Sequence, residues 1–167
     1  AVRIGDNPPD SRFITRTVGT QQFVACASRG YLDQRGVPQH PSALEGHDTI
    51  FFVREGRRRS WDFSTPDGLE HFHGPGRLRM DSSEAIRASA IAGSGLIWLP
   101  TYILHDDIAS GALVTVLDSF RSPPQQIQVI YPSKRHQSPR IRSFIDLLVE
   151  RWQPRAPWED SSPAISG

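Results

Sequence analysis

Asp81, Ser82 and Ser83 stand together ahead of a run of small and apolar residues, and each can accept from the free N–H groups of a helix first turn. Such a terminus carries partial positive charge and suits a carboxylate ligand. Asp81 and Glu84 also have the spacing of a capping box, which would occupy those donors and repel an anion. The hydroxyls of Ser82 and Ser83 are then the useful contacts, and capping alone explains the same residues equally well. Other chemistry-bearing groups lead less far. His71 and His73 would share one face of a strand, but no further metal ligands follow nearby. Gly93-Ser94-Gly95 follows a helix, whereas a nucleophile elbow lies between strand and helix. Gly74-Pro75-Gly76 lacks the Gly-Lys-Ser/Thr of a phosphate loop. His47-Asp48 is a pair that chance supplies in any chain of this size. The triplet Arg57-Arg58-Arg59 has Glu55 and Asp62 close by and reads as a solvated hairpin tip rather than a phosphate contact. No enzyme, metal or cofactor is expected.

The elements that must hold Ser82 and Ser83 are legible around them. Ile86, Ala90 and Gly93 recur at helical spacing, as do Ala85, Ser89 and Ala92, so a small-residue face is expected to lie close against a sheet. Gly93-Ser94-Gly95 ends the helix, and Leu96-Ile97-Trp98-Leu99 is a buried strand closed by Pro100. This helix-to-strand step belongs to an α/β fold. Before it come a strand over Val2–Gly5, a Pro-rich turn at Asn7-Pro8-Pro9-Asp10, an extended stretch over Phe13–Gly19 and a buried strand over Phe23–Ala27. A short helix runs from Ser28 to near Gly36, a second is capped by the spacing of Ser42 and Glu45, and Thr49–Val53 is a strand. Trp61–Phe63 and Arg77–Met80 read as strands around a polar loop. After the central unit come a short helix over Thr101–Ser110, strands over Leu113–Leu117 and Ile127–Tyr131, and a last amphipathic helix capped at Ser138-Pro139. Residues 154–167 are rich in Pro and Ser and read as a mobile tail.

Composition bounds the function. The chain has 167 residues, 37% apolar and 22% charged, with a net charge of +1, so no broad footprint for nucleic acid is visible. Its one cysteine, Cys26, lies in the apolar run Phe23–Ala27 and reads as a buried structural thiol. No stretch reaches the length of a membrane span, and Arg3, Asp6 and Asp10 interrupt any signal-like core, so a cytoplasmic location is expected. The chain opens without Met, already in what looks like a strand, and reads as a piece of a longer protein.

From Ser82 to Leu117 the order of residues resembles the effector-binding domain of LysR-type transcriptional regulators. Ala92, Gly93, Gly95, Leu99, Pro100, Gly111, Leu113 and Val114 carry the pattern. Ser28, Tyr31 and Leu32, then Leu44 and His47, the Trp61–Phe63 strand, and finally Phe144, Asp146 and Leu148 extend it. The resemblance implies a two-lobed α/β fold of the periplasmic-binding-protein type 2 class, with one lobe incomplete. Residues 18–124 would form one lobe, and 1–17 with 125–153 a remnant of the other. It implies a small organic effector, carrying a carboxylate or another polar group, bound between the lobes near Gly5, Arg16, Phe52, Ser82 and Ser83. It further implies a homo-oligomeric parent that touches DNA only through a winged helix-turn-helix outside this sequence. A solute-binding protein or a small enzyme on the same fold stays open as an alternative. An incomplete lobe would leave apolar surface open, so self-association, or a displaced or swapped strand or last helix, is expected.

Overall fold

The computed structural model describes residues 1–5, 13–132 and 139–159. In chain order these form β1 (Val2–Ile4), β2 (Phe13–Gln21), β3 (Phe23–Ala27), α1 (Arg29–Arg35), a 3-10 turn (Pro41–Gly46), β4 (Thr49–Arg54), β5 (Arg57–Arg58), β6 (Trp61–Thr65), β7 (Gly68–Phe72) and β8 (Leu78–Met80). There follow α2 (Ser83–Ile91), β9 (Leu96–Pro100), α3 (Thr101–Ala109), β10 (Val114–Val116), a short 3-10 turn (Asp118–Phe120), β11 (Gln125–Pro132) and α4 (Pro139–Trp152). The expected turn at Asn7–Asp10, the Ser138 cap and the last part of the tail, 160–167, lie outside the described residues. The chain divides into two compact units, one of Ala1–Gln21 with Pro124–Asp160 and one that includes Gln22–Pro123.

The first unit is a three-stranded antiparallel sheet in the order β1-β11-β2. Val2 pairs with Val129 and Ile4 with Ile127 on one side of β11, and Arg16 pairs with Val129 on the other. Antiparallel partners share a face, so Val2, Ile4, Ile127 and Val129 line one side of the sheet. The amphipathic helix α4 covers part of that side, burying Ile145 against Val18, Ile127 and Val129. Val2 (51% exposed) and Phe144 (47%) border an uncovered apolar groove, with Val129, Tyr131 and Ile141 in its walls. Residues 154–159, expected as the start of a mobile tail, are docked. Ala156 is buried, Trp158 Nε1 donates to the Thr20 carbonyl at 2.7 Å, and Glu159 Oε1 accepts from the Thr20 N–H at 3.0 Å. Their Pro-rich composition conceals two anchoring side chains.

The second unit is built on a mixed sheet in the order β10-β3-β9-β4-β5, with β8 also paired to β4. β4 runs parallel to both β8 and β9 and divides the core. On one face Phe51 meets Trp61 and Phe72 of the β6–β7 hairpin, with ring centroids 5.2 and 6.0 Å away. On the other, Ile50 packs with Val24, Cys26 and Ile97 under Ile86 and Ala90 of α2 and Leu104 and Ile108 of α3. Each buried aliphatic side chain there contributes about 1.5–3 kcal/mol, so α2 is fixed chiefly by Ile86 and Ala90. The second small-residue face expected on this helix is not used: Ala85 and Ala92 are exposed. β7 is a strand where the sequence reading sees only loop, because its one buried residue is Phe72. The 3-10 turn is capped by His40, whose Nδ1 accepts from the Ser42 N–H, and not by the Ser42–Glu45 spacing. Gly95, at φ +150°, brings the chain against Asp48, whose carbonyl oxygen a Cβ would meet at 2.4 Å.

Candidate functional site

The parallel strands β4, β8 and β9 end on one side of the second unit, where α2 begins. Ligands of open α/β sheets collect at carboxyl ends of strands, which makes this edge the candidate site. Phe52 pairs with Met80, which puts Ser82 and Ser83 just beyond the level of Phe52 on the neighbouring strand. The ring of Phe52 is half buried among Leu78, Met80 and the α2 side of the core. Three of the predicted residues, Phe52, Ser82 and Ser83, are thus brought to one edge.

The helix start differs from its expected form. Ser82 is the N-cap: its Oγ accepts from the Ala85 N–H at 3.3 Å. Asp81 does not cap, and Glu84 does not close a box. Its carboxylate instead accepts from Arg87 Nη1 at 3.1 Å, an i,i+3 pair that competes for the same side chain. The N–H groups of Ser83 and Glu84 therefore keep no helical acceptor. The objection to an anionic ligand at this terminus is weakened accordingly. The Ser83 hydroxyl is half buried and has no partner among the described residues.

Arg87 also anchors α2 from the side. Its guanidinium engages Asp107 of α3 with both Nε and Nη2, the latter at 2.8 Å from Oδ1. Hydrogen bonding to Asp107, and then Glu84, pushes the guanidinium further above its ordinary range. This pair positions the helix that carries Ser82 and Ser83.

An open cavity of about 440 Å³ lies beside them, lined by Val53, Gly56, Arg58, Arg79, Met80 and Asp81. The basic triplet is exposed on the β4–β5 hairpin, as expected, but two of its side chains also lie on aromatic rings. The Arg58 guanidinium lies 5.3 Å from the Phe51 ring centroid and donates to the Gly74 and Pro75 carbonyls. Arg59 stacks 4.1 Å above Phe23, and burial lowers its pKa. Arg58 and Arg79 are functional candidates that the sequence reading passes over; Arg58 was visible as part of the triplet, but which side it faces was not.

Gly5 and Arg16 belong to the first unit. Gly5 donates its N–H to the Gln126 carbonyl at 3.0 Å and adopts φ +99° with open space where a Cβ would stand. Arg16 lies opposite Val129, three residues further along β11, and its guanidinium is 3.7 Å from Asp146 of α4. The sheet does not bring these two together. His71 and His73 hold no metal-ligand set: His71 Nδ1 bonds Asp62 at 2.8 Å, and no group of three or more ligating side chains occurs among the described residues. Cys26 is fully buried, and burial, with Asp107 and Asp118 adding, raises its thiol pKa well above the ordinary range. No helix among the described residues is long and apolar enough to cross a membrane.

A profile of the LysR substrate binding domain matches residues 1–153. The chain belongs to the LysR substrate-binding-domain family. Among relatives of this LysR domain, the uncharacterized HTH-type transcriptional regulator YhjC of Escherichia coli K12 is 30% identical over 150 residues, which is 89% of this chain and 50% of that protein. Among solved structures, the regulatory domain of AphB from Vibrio vulnificus matches with a TM-score of 0.78 at 25% identity, covering 89% of this chain and 73% of that one. The regulatory domain of CrgA, a LysR-type regulator from Neisseria meningitidis, gives 0.75 at 26%, covering 89% and 74%. The fold is therefore the mixed α/β, type 2 periplasmic-binding-like fold of LysR regulatory domains. The chain spans about half the length of the curated relatives it matches.

Proposed function

We propose that this LysR domain is the effector-sensing part of a DNA-binding transcriptional regulator and not a catalyst. The observation that carries the reading is the family match over 1–153 among relatives named as HTH-type regulators. The site supports it: an open cavity and a capped helix start with two N–H groups free of helical acceptors. The ligand is a small organic molecule with a carboxylate or another polar group, contacted by Ser82 or Ser83 beside Phe52. Gly5 and Arg16 are proposed as contacts from the first unit. The Arg16–Asp146 pair is long and exposed, so its guanidinium is released at little cost. The whole protein is a cytoplasmic homo-oligomer that meets DNA through a winged helix-turn-helix outside this sequence. Two measurements test this. The gene should encode that helix-turn-helix upstream of Ala1; a secretion signal there would point to a solute-binding protein instead. Calorimetry on the full-length protein with Ser83→Ala should weaken a verified effector by about 0.5–1.5 kcal/mol, more if the ligand is charged. Unchanged affinity would remove Ser83 from the site.

A further inference from the structure

The cavity at the carboxyl ends of β4 and β8 carries information about what it takes. Arg58 Nη1 and Arg79 Nη2 both reach the carbonyl oxygen of Pro75, at 3.4 and 3.3 Å. Two positive groups are thus held against one another in the wall of one cavity. Arg54 faces Glu55 and Arg77 faces Asp48, whereas Arg58 and Arg79 form no ion pair among the described residues. Like charges held this close repel, and an anion in the cavity relieves that repulsion.

The arrangement is built rather than loose. Arg58 is fixed by the Phe51 ring beneath it and by the carbonyls of Gly74 and Pro75. That loop is itself fixed, since a Cβ on Gly76 would stand 2.7 Å from the Phe51 ring. A guanidinium has five donors, and the bonds to these carbonyls leave several on each arginine for a ligand. Asp81 lines the same cavity and would repel a ligand that is only an anion. It accepts a hydrogen bond from a donor. Val53 and Met80 complete the wall with apolar surface suited to a short carbon chain.

We propose that the cavity bounded by Arg58, Arg79 and Asp81 binds a small organic carboxylate that also carries a hydroxyl or amino donor. The carboxylate sits on the two guanidiniums and the donor on Asp81. This deepens the effector reading and rests on it.

The test uses the 167-residue chain and two probes that differ by one hydroxyl, L-lactate and propionate. Titrations are followed by the Nε–Hε NMR signals of Arg58 and Arg79, assigned with Arg58→Lys and Arg79→Lys. Saturable shifts of both signals are expected, with lactate binding roughly 2–10-fold tighter than propionate. Asp81→Asn should narrow that ratio towards one. Arg79→Gln should weaken both probes by about tenfold or more, with Arg79→Lys, which keeps the charge but not the fork, in between. Near-ultraviolet circular dichroism confirms that each variant is folded. Linear shifts that never saturate would overturn the proposal. So would a lactate preference that survives Asp81→Asn, inorganic phosphate binding as tightly as lactate, or lactate displaced by a DNA duplex. The two readings fail separately. Saturable lactate binding with a silent Ser83→Ala keeps the arginine site and removes Ser83. A Ser83-dependent effector that leaves both arginine signals unmoved does the reverse.

Discussion

The Arg87–Asp107 pair predicts an asymmetry between two alanine variants. The Asp107 side chain is 9% exposed and that of Arg87 is 31% exposed. Breaking a buried pair by removing one partner costs about 3–5 kcal/mol, because the other charge is stranded, whereas an exposed pair is worth about 0–1 kcal/mol. Arg87→Ala strands a carboxylate that water barely reaches, so it should cost near the upper figure, about 3–5 kcal/mol. Asp107→Ala strands a guanidinium that is partly hydrated and still holds Glu84 at 3.1 Å. With that relief its cost should fall to about 2–3 kcal/mol. The backbone bonds that Leu113 N–H and the Ser110 hydroxyl make to the Asp107 carbonyl survive either change. Urea unfolding followed by tryptophan fluorescence measures the effect, since Trp61 and Trp98 both lie in the core of the second unit. With a slope of about 2 kcal/mol per molar, Arg87→Ala should lower the midpoint by roughly 1.5–2.5 M. A double-mutant cycle with Arg87→Met and Asp107→Leu should return a coupling above about 1 kcal/mol. Two single variants each costing under about 1 kcal/mol, with additive effects, would show that water screens the pair and that the argument from burial is wrong. A larger cost for Asp107→Ala than for Arg87→Ala would refute the asymmetry even if the pair proves strong.

Four other outcomes are expected. Cys26, fully buried with its thiol pKa raised, should resist a thiol reagent until the second unit unfolds, so labelling in native buffer within minutes would contradict its placement. The His47 pKa is lowered from its ordinary 6.5 by burial and then Arg35, against Asp48; the unfolded chain therefore binds the proton more readily, and stability should be unaffected above about pH 6.5 and fall as pH drops below it. His47→Gln should flatten that acid limb in thermal melts, and an unchanged slope would assign it to other groups. Gly95→Ala would place a Cβ on the Asp48 carbonyl at a left-handed φ and should destabilise the second unit by more than about 1 kcal/mol, read by hydrogen exchange in β9. The groove bordered by Val2, Ile141 and Phe144 should drive self-association of the 167-residue chain in light scattering, with Phe144→Asp reducing it; a strictly monomeric wild type at high concentration would show that this surface tolerates water.

What the sequence reveals depends on whether a residue's partner is near it in the chain. The α2–β9 step was legible because Ile86, Ala90, the two glycines and Leu96–Leu99 state their roles within one short window, and the structure buries Ile86, Ala90 and all of β9. Family membership was legible for the same reason, being carried by spacing along the chain. Where a competing partner decides the outcome, spacing misleads. Asp81 and Glu84 have the spacing of a box, yet Glu84 is taken by Arg87, and Ser42–Glu45 loses to His40. Direction is invisible in a charge run: the triplet is exposed on its hairpin as read, but Arg58 also lies on Phe51 of the adjoining strand β4 and Arg59 on Phe23 of the distant β3. Of the residues expected at the site, Phe52, Ser82 and Ser83 come to one edge of the sheet, while Gly5 and Arg16 lie in the first unit. The sequence did not show Arg58 and Arg79 meeting at Pro75, because that depends on how the loop after β7 crosses over β4 and β8.

The way β4 is built bears on how a ligand at its end could matter. Phe51 commits one face of this strand to the aromatic cluster and Phe52 the other to the α2 side, while Val53, the next residue, lines the cavity. α2 is tied to α3 through Arg87–Asp107, and the chain behind it is wedged against Asp48 at Gly95. A ligand on Arg58, Arg79 and Asp81 contacts exposed side chains on β5, on β8 and just before α2, next to the buried part of β4. A ligand shifts an equilibrium only by its difference in affinity for the two states. Hydrogen bonds to charged groups are worth about 1.5–3 kcal/mol each, and allosteric couplings are typically about 1–3 kcal/mol. Making or losing a single arginine contact between two states of the regulator would thus supply a coupling of ordinary size. On the proposed function, the signal requires no large rearrangement of this unit, only one in which the ligand keeps Pro75 and its two arginines together in one state and not in the other.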